Sequence, residues 1–98
     1  MSYGIVFSRK AERSLARLIS YIGSRFSVEN AQEFGEKLLL FCQRLTTLPH
    51  RGTLRSDLGP ELRTIGYRGK ITILFRVSES TRTVLILDIF YRGRVVKV

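Results

Sequence analysis

Hydrophobic positions near the start of the chain alternate: Tyr3, Ile5 and Phe7 are set against Gly4, Val6 and Ser8, the period of a short strand. The period then lengthens. Ala11, Leu15, Leu18, Ile19, Ile22 and Phe26 recur on one face of a helix, with Arg9, Arg13, Arg17, Ser20 and Ser24 opposite, and Ser8 stands where an N-cap belongs. Ser27 caps a second predicted helix, whose apolar positions are Ala31, Phe34, Leu38, Phe41, Cys42, Leu45 and Leu48 and which must end before Pro49. The two helices are expected over residues 9–26 and 28–47, and so short a connection predicts an antiparallel hairpin. Leu40 is the misfit, placed among Glu33, Glu36, Lys37 and Arg44 on the polar face.

Residues 49–60 carry both prolines and two glycines and read as a loop. Period two then returns over Leu62–Tyr67, Ile71–Val77 and Thr83–Tyr91, separated by Arg68-Gly69-Lys70 and by residues 78–82, which predicts an antiparallel meander. Ile71, Ile73, Phe75 and Val77 share one face. Leu85, Leu87 and Ile89 are assigned with them beneath the hairpin, and Thr72, Leu74, Arg76, Val84, Ile86, Asp88 and Phe90 to the reverse. The expected core is Leu18, Ile22, Phe34, Leu38, Phe41, Leu45, Ile73, Phe75 and Leu87. The predicted architecture is one α+β domain over residues 1–98, β-α-α-β-β-β, a helical hairpin packed on an antiparallel sheet.

Charge changes the picture more than size does. Of 17 basic residues 13 are arginine, and they outnumber 8 acidic groups to give +9. Arginine's planar fork of donors suits phosphate and carboxylate, so an acidic partner is expected, gripped mainly by the second half of the chain, which holds most of the excess. Arg63, Arg68, Arg76, Arg92 and Arg94 interleave with Tyr67, Phe75, Phe90 and Tyr91, a pattern that can hold phosphates and stack bases.

Little else carries chemistry. His50 is the only histidine and lies in the loop, which leaves a catalytic triad or a metal site short of parts. Cys42 falls on the apolar face of the second helix, where a core role is expected, and a lone cysteine forms no disulfide within the chain. Glu29, Glu33 and Glu36 share a solvated face, and no phosphate-binding glycine run is present. No catalytic residue, metal or cofactor is therefore expected. With no long apolar run, and Met1 leading directly into a strand-like pattern, neither a membrane span nor a signal peptide is expected and the location is read as cytoplasmic.

Several strings, in order, resemble the ParE/RelE toxin family. Phe7-Ser8-Arg9-Lys10-Ala11-Glu12-Arg13-Ser14-Leu15, followed by Tyr21-Ile22, is similar to the family's first strand and helix, and Phe26-Ser27-Val28-Glu29-Asn30-Ala31 to its helix turn. Leu48-Pro49-His50-Arg51-Gly52 is similar to its loop, Leu62-Arg63 to the start of its second strand and Leu74-Phe75-Arg76-Val77 to its third. The family holds two activities. Members that cleave mRNA on the ribosome place an arginine early in the third strand, with basic or histidine residues and often a tyrosine near the C-terminus. Here that early position is Thr72, no histidine follows His50, and the chain ends Val95-Val96-Lys97-Val98, with Arg92 the one candidate for a basic position.

The resemblance therefore implies the ParE branch: a toxin of a type II toxin-antitoxin system that inhibits DNA gyrase without chemistry of its own and forms a hetero-oligomer with a ParD-like antitoxin. Position and charge assign the target to Arg63, Arg76, Tyr91, Arg92 and Arg94, and the antitoxin's acidic segment to Arg13, Arg17, Leu40 and Arg76. The alternatives are a RelE-like ribosome-dependent mRNA interferase and a basic nucleic-acid-binding module.

Overall fold

A computed structural model describes residues 2–91, 96 and 97. The first strand, β1 (Gly4–Phe7), runs into α1 (Arg9–Arg25), and α2 (Val28–Gln43) follows, extended by a 3-10 turn at Arg44–Thr46. Ser8 and Ser27 cap the two helices as expected, each hydroxyl accepting from a backbone N–H three residues on, Ala11 at 3.0 Å and Asn30 at 3.0 Å. Beyond a two-residue strand β2 (Thr53–Leu54) come β3 (Leu62–Tyr67), β4 (Ile71–Ser78) and β5 (Thr83–Tyr91).

The strand order is β1-β5-β4-β3-β2. The meander β3-β4-β5 is antiparallel as predicted, but β1 joins β5 in parallel, so the sheet is mixed. Period two announces a strand without naming its neighbour, and the pairing of residues 4–7 with 83–86 is a long-range event. The predicted loop also contributes β2, which turns on Gly52. Its φ of 75° is left-handed, and a Cβ there would strike the carbonyl oxygen of Thr64.

The helices cover one face of the sheet. Leu38, Leu45, Ile73 and Phe75 are fully buried there and Leu18 nearly so, while Ile22, Phe34 and Phe41 are half-buried against them. Two helix-end residues counted as apolar-face positions, Phe26 and Leu48, are instead exposed.

β5 departs from the expected facing. Leu74 of β4 pairs with Asp88 and Phe75 with Ile86, so Leu87 has no partner of its own and forms a bulge. Side-chain parity reverses at that residue. Val84 and Ile86 face the helices, Leu85 alternates to the reverse, and Ile89 and Tyr91 return to the helix side. Leu87, expected in the main core, packs with Leu62, Leu74 and Phe90 in a smaller cluster on the reverse, together with Leu58 and Val96.

Candidate functional site

The bulge determines what the end of β5 offers. Had the alternation of Val84 and Ile86 continued unbroken through Leu87, Tyr91 would lie on the reverse of the sheet and Phe90 beneath the helix. With the bulge, Tyr91 meets α1, its ring 6.0 Å from that of Tyr21, and a cleft of about 220 Å³ opens between Ser14, Arg17, Leu18, Tyr21, Ile89 and Tyr91. The Arg25 guanidinium lies 5.6 Å from the centre of the Tyr21 ring on the exposed side of α1. A basic and aromatic cleft of this kind is suited to contact and charge and not to bond-making.

Asp88 holds this corner together. It is 5% exposed, and one carboxylate oxygen accepts from the Ser14 hydroxyl at 2.6 Å and the Ile89 N–H at 2.7 Å. Lys10 approaches the other oxygen at 3.7 Å, and Arg17 donates to the Ser14 hydroxyl at 3.4 Å. The Ser8 hydroxyl, besides capping α1, donates to the Leu87 carbonyl at 2.8 Å. A carboxylate so engaged positions α1 on the bulge, one oxygen filled by two hydrogen bonds and the other facing Lys10. Sequence reasoning passed over Ser14, Lys10 and Asp88 as site residues. The available signal was a single carboxylate inside an apolar strand, which must find partners if buried.

The other predicted site residues do not converge on the cleft. Arg63, opposite Phe75, lies at the far end of the helix-side face, where it donates to the Arg51 carbonyl at 3.5 Å. Arg76, opposite Leu62 and Leu85, is half-buried on the reverse, so adjacent strands send these two arginines to opposite faces. Arg92 and Arg94 lie outside the described residues. In the antitoxin set, Arg13 is exposed one helical turn from Arg17 on α1, and Leu40 lies on α2 beside a different groove.

At the end of the sheet away from Tyr91, Glu79 links three segments. It accepts from Tyr3 at 2.6 Å and meets His50 at 2.7 Å, while the Arg82 guanidinium lies 4.8 Å from the centre of the Tyr3 ring. The Tyr3 hydrogen bond, with the nearby His50 and Arg82, holds the Glu79 carboxyl below its ordinary range, and the same bond raises the Tyr3 phenol. Burial pushes the Cys42 thiol up to about 11, which suits a core residue and not a nucleophile. Among the described residues no group of three metal-binding side chains forms, and no helix is long and apolar enough to cross a membrane.

Comparison with known proteins places this geometry. The family model for the ParE toxin of the type II toxin-antitoxin system, parDE, matches residues 5–96. No curated protein matches the chain. A chain from the chromosomal ParDE system of P. aeruginosa is similar in structure, with a TM-score of 0.78 at 20% identity, covering 94% of this chain and 98% of that one. A chain of the RelBE2 toxin-antitoxin complex of Mycobacterium tuberculosis gives 0.68 at 22% identity, covering 96% and 95%. One from the intact E. coli RelBE complex gives 0.62 at 14%, covering 95% and 100%. At these identities the likeness is one of fold.

Proposed function

The chain belongs to the ParE toxin family of type II toxin-antitoxin systems, and from that membership we propose that it inhibits DNA gyrase by binding and is neutralised by a ParD-like antitoxin. The observation that supports the binding mode is that, among the described residues, Tyr91 lies far from His50 and Glu79, three of the groups an RNA-cleaving site could use. In-line attack by a 2′-hydroxyl requires a proton acceptor, a donor to the leaving oxygen and a cation for the phosphate, all within reach of one another. Here Tyr91 pairs with Ile71 at the start of β4, while His50 and Glu79 lie beyond Ser78 at its end. Eight strand residues separate the two groups by roughly 20–25 Å. Thr72, where the RNA-cleaving branch would hold arginine, pairs with Gly66 and Phe90 on the apolar reverse of the sheet.

In this reading the α1 cleft, with Tyr21 and Tyr91, serves the target together with Arg92 and Arg94, Arg63 and Arg76 contribute from the two faces, and Arg13 and Arg17 on α1 meet the antitoxin. The charge of +9 suits an acidic antitoxin segment, for which charge complementarity speeds association and fixes register.

Induced expression in bacteria, read for both DNA damage and codon-phased mRNA cuts, tests the proposal alongside a supercoiling assay with purified gyrase. Growth arrest with DNA damage, and supercoiling lost at stoichiometric toxin, is the expected result. Phased mRNA cuts that vanish when Arg92 is replaced would instead establish the mRNA-interferase alternative.

A further inference from the structure

Lys37, Leu40 and Phe41 of α2 and Arg44 at the start of the 3-10 turn follow one another at i, i+3, i+4 and i+7, and so form a single stripe. The turn from β3 to β4 faces it. Arg68 and Gly69 both adopt left-handed backbone, φ 54° and 71°, as a mirror-image hairpin turn requires. Tyr67, just before the turn, packs its ring 4.8 Å from that of Phe41, and the Arg68 guanidinium lies over it at 5.4 Å. The groove between, about 240 Å³, is lined by Lys37, Leu40, Phe41, Arg44, Tyr67 and Arg68: three cations and no acidic residue.

Charge and exposure say what fits here. Among the described residues neither Arg44 nor Arg68 makes an ion pair, and Lys37 meets only Glu33, an exposed partner on its own helix at 2.8 Å. Glu33, held below its ordinary range by Lys37 first and more weakly by Arg68, shows this cluster already stabilising one carboxylate. Leu40 is 62% exposed, an apolar position beside the cations. A nucleic acid would find phosphate contacts but little ring surface to stack on, because Tyr67 is 8% exposed beneath Arg68 and Phe41 is half-buried against Tyr67. An acidic protein segment with one apolar side chain satisfies both the arginines and Leu40.

We propose that this groove is an anchoring site for the acidic segment of the antitoxin, with its apolar side chain on Leu40 and its carboxylates on Arg44 and Arg68. The assignment rests on the toxin-antitoxin reading and adds a site separate from the α1 cleft. Such charged contacts set register, and the apolar one supplies a fixed point along the segment.

The test uses the full chain and three fluorescent probes: a short peptide of glutamates around one leucine, its leucine-to-serine twin, and a single-stranded oligothymidylate. Charge neutralisation by Arg44→Gln with Arg68→Gln should weaken the leucine peptide at least tenfold. Arg9→Gln with Arg51→Gln, an equal loss of charge at exposed positions elsewhere, should weaken it less than threefold. Leu40→Ser, at an exposed position that leaves folding intact, should make the peptide and its twin bind alike. Equal loss from both arginine pairs would overturn the proposal, because only net charge would then be at work. So would an oligothymidylate that displaces the peptide and itself depends on Arg44 and Arg68. Toxicity is scored separately. A toxic chain whose peptide binding ignores the groove variants overturns the groove and leaves the toxin reading standing, whereas a harmless chain overturns the antitoxin assignment.

Discussion

Beneath the helices, Phe75, Ile73, Val84 and Ile86 are sealed between two rigid layers, with Leu38 and Leu45 pressed down from α2 and the turn after it. On the reverse of the same sheet, Leu62, Leu74 and Phe90 are also buried, but under Leu58 from a loop and Val96 from the chain's end. One face is closed by regular structure with its own hydrogen-bond ladder, the other by segments without one. Surface closed by loops opens at lower free energy than surface closed by packed helices. The fold's stability should therefore reside on the helix side. The reverse, carrying half-buried Arg76, is the face more able to adapt to a partner.

The largest effects should fall on the sealed face. Phe75→Ala removes a side chain with no exposure and should cost roughly 3–5 kcal/mol, a large part of the ~5–15 kcal/mol that holds a small domain. Phe90→Ala should cost less, about 3 kcal/mol or below, because its roof can settle into the space. Urea midpoints of the two variants compare the faces directly. A Phe90 variant as unstable as the Phe75 variant would mean that the reverse is as rigid as the helix side. Phe41, half-buried against Tyr67, should fall between surface and core at about 2 kcal/mol when cut to alanine, since only part of its area leaves water on folding.

A middle-sized effect should fall where the faces exchange at the bulge. Asp88→Ala leaves the Ser14 hydroxyl and the Ile89 N–H without their acceptor inside a buried corner, which should cost about 1–3 kcal/mol. It should also loosen the Tyr91 side of the cleft. Amide exchange at Ile89 and Tyr91 faster than at Ile73 reports that loosening, and uniform exchange along both strands would speak against a local role for Asp88. Deleting Leu87 is the sharper version. It removes the bulge while Asp88 stays opposite Leu74 and Tyr91 opposite Ile71, so Tyr91 should keep its helix-side place and the helices should form; faster exchange at Tyr91 in that variant would mean that the bulge itself holds the corner.

How much of this was legible follows from what each element needs. Both helices were readable because their apolar spacing and serine caps are local, and the antiparallel meander because its turns are short. The parallel seat of β1 on β5 was not, since nothing within residues 4–7 encodes a partner some eighty residues on. Two residues are too few to display a period, so β2 stayed hidden in the loop. The bulge escaped because Leu87 looks like any other apolar strand residue. One unseen insertion reversed the facing of Val84, Leu85, Ile86 and Leu87 while leaving Ile89 and Phe90 correct. The basic and aromatic character of the chain was legible, and the placement of those side chains was not. A basic and aromatic surface was expected, but the separation of Arg63 from Arg76 depends on register, and the Ser14-Asp88 link on the fold.

The smallest effect should lie at the rim of the sealed face, where the Tyr3 ring packs on the core and its hydroxyl reaches Glu79. Tyr3→Phe keeps the ring and removes only that hydrogen bond, so any loss of stability reports the bond alone. The two partners bracket its pH window. Glu79 has a folded-state carboxyl below the ordinary 4.5, so its contribution is present above that value and fades as pH falls through the lowered one. Tyr3 has a folded-state phenol above the ordinary 10.0, so its contribution is present below that value and fades as pH rises through the raised one. Wild type should therefore melt slightly above Tyr3→Phe between these limits, and the two should converge in acid and in strong alkali. His50 also faces Glu79, so the comparison is repeated in a His50→Gln background. A difference in melting temperature that persists unchanged into acid would mean that Tyr3 acts through packing on the helix-side core and not through Glu79.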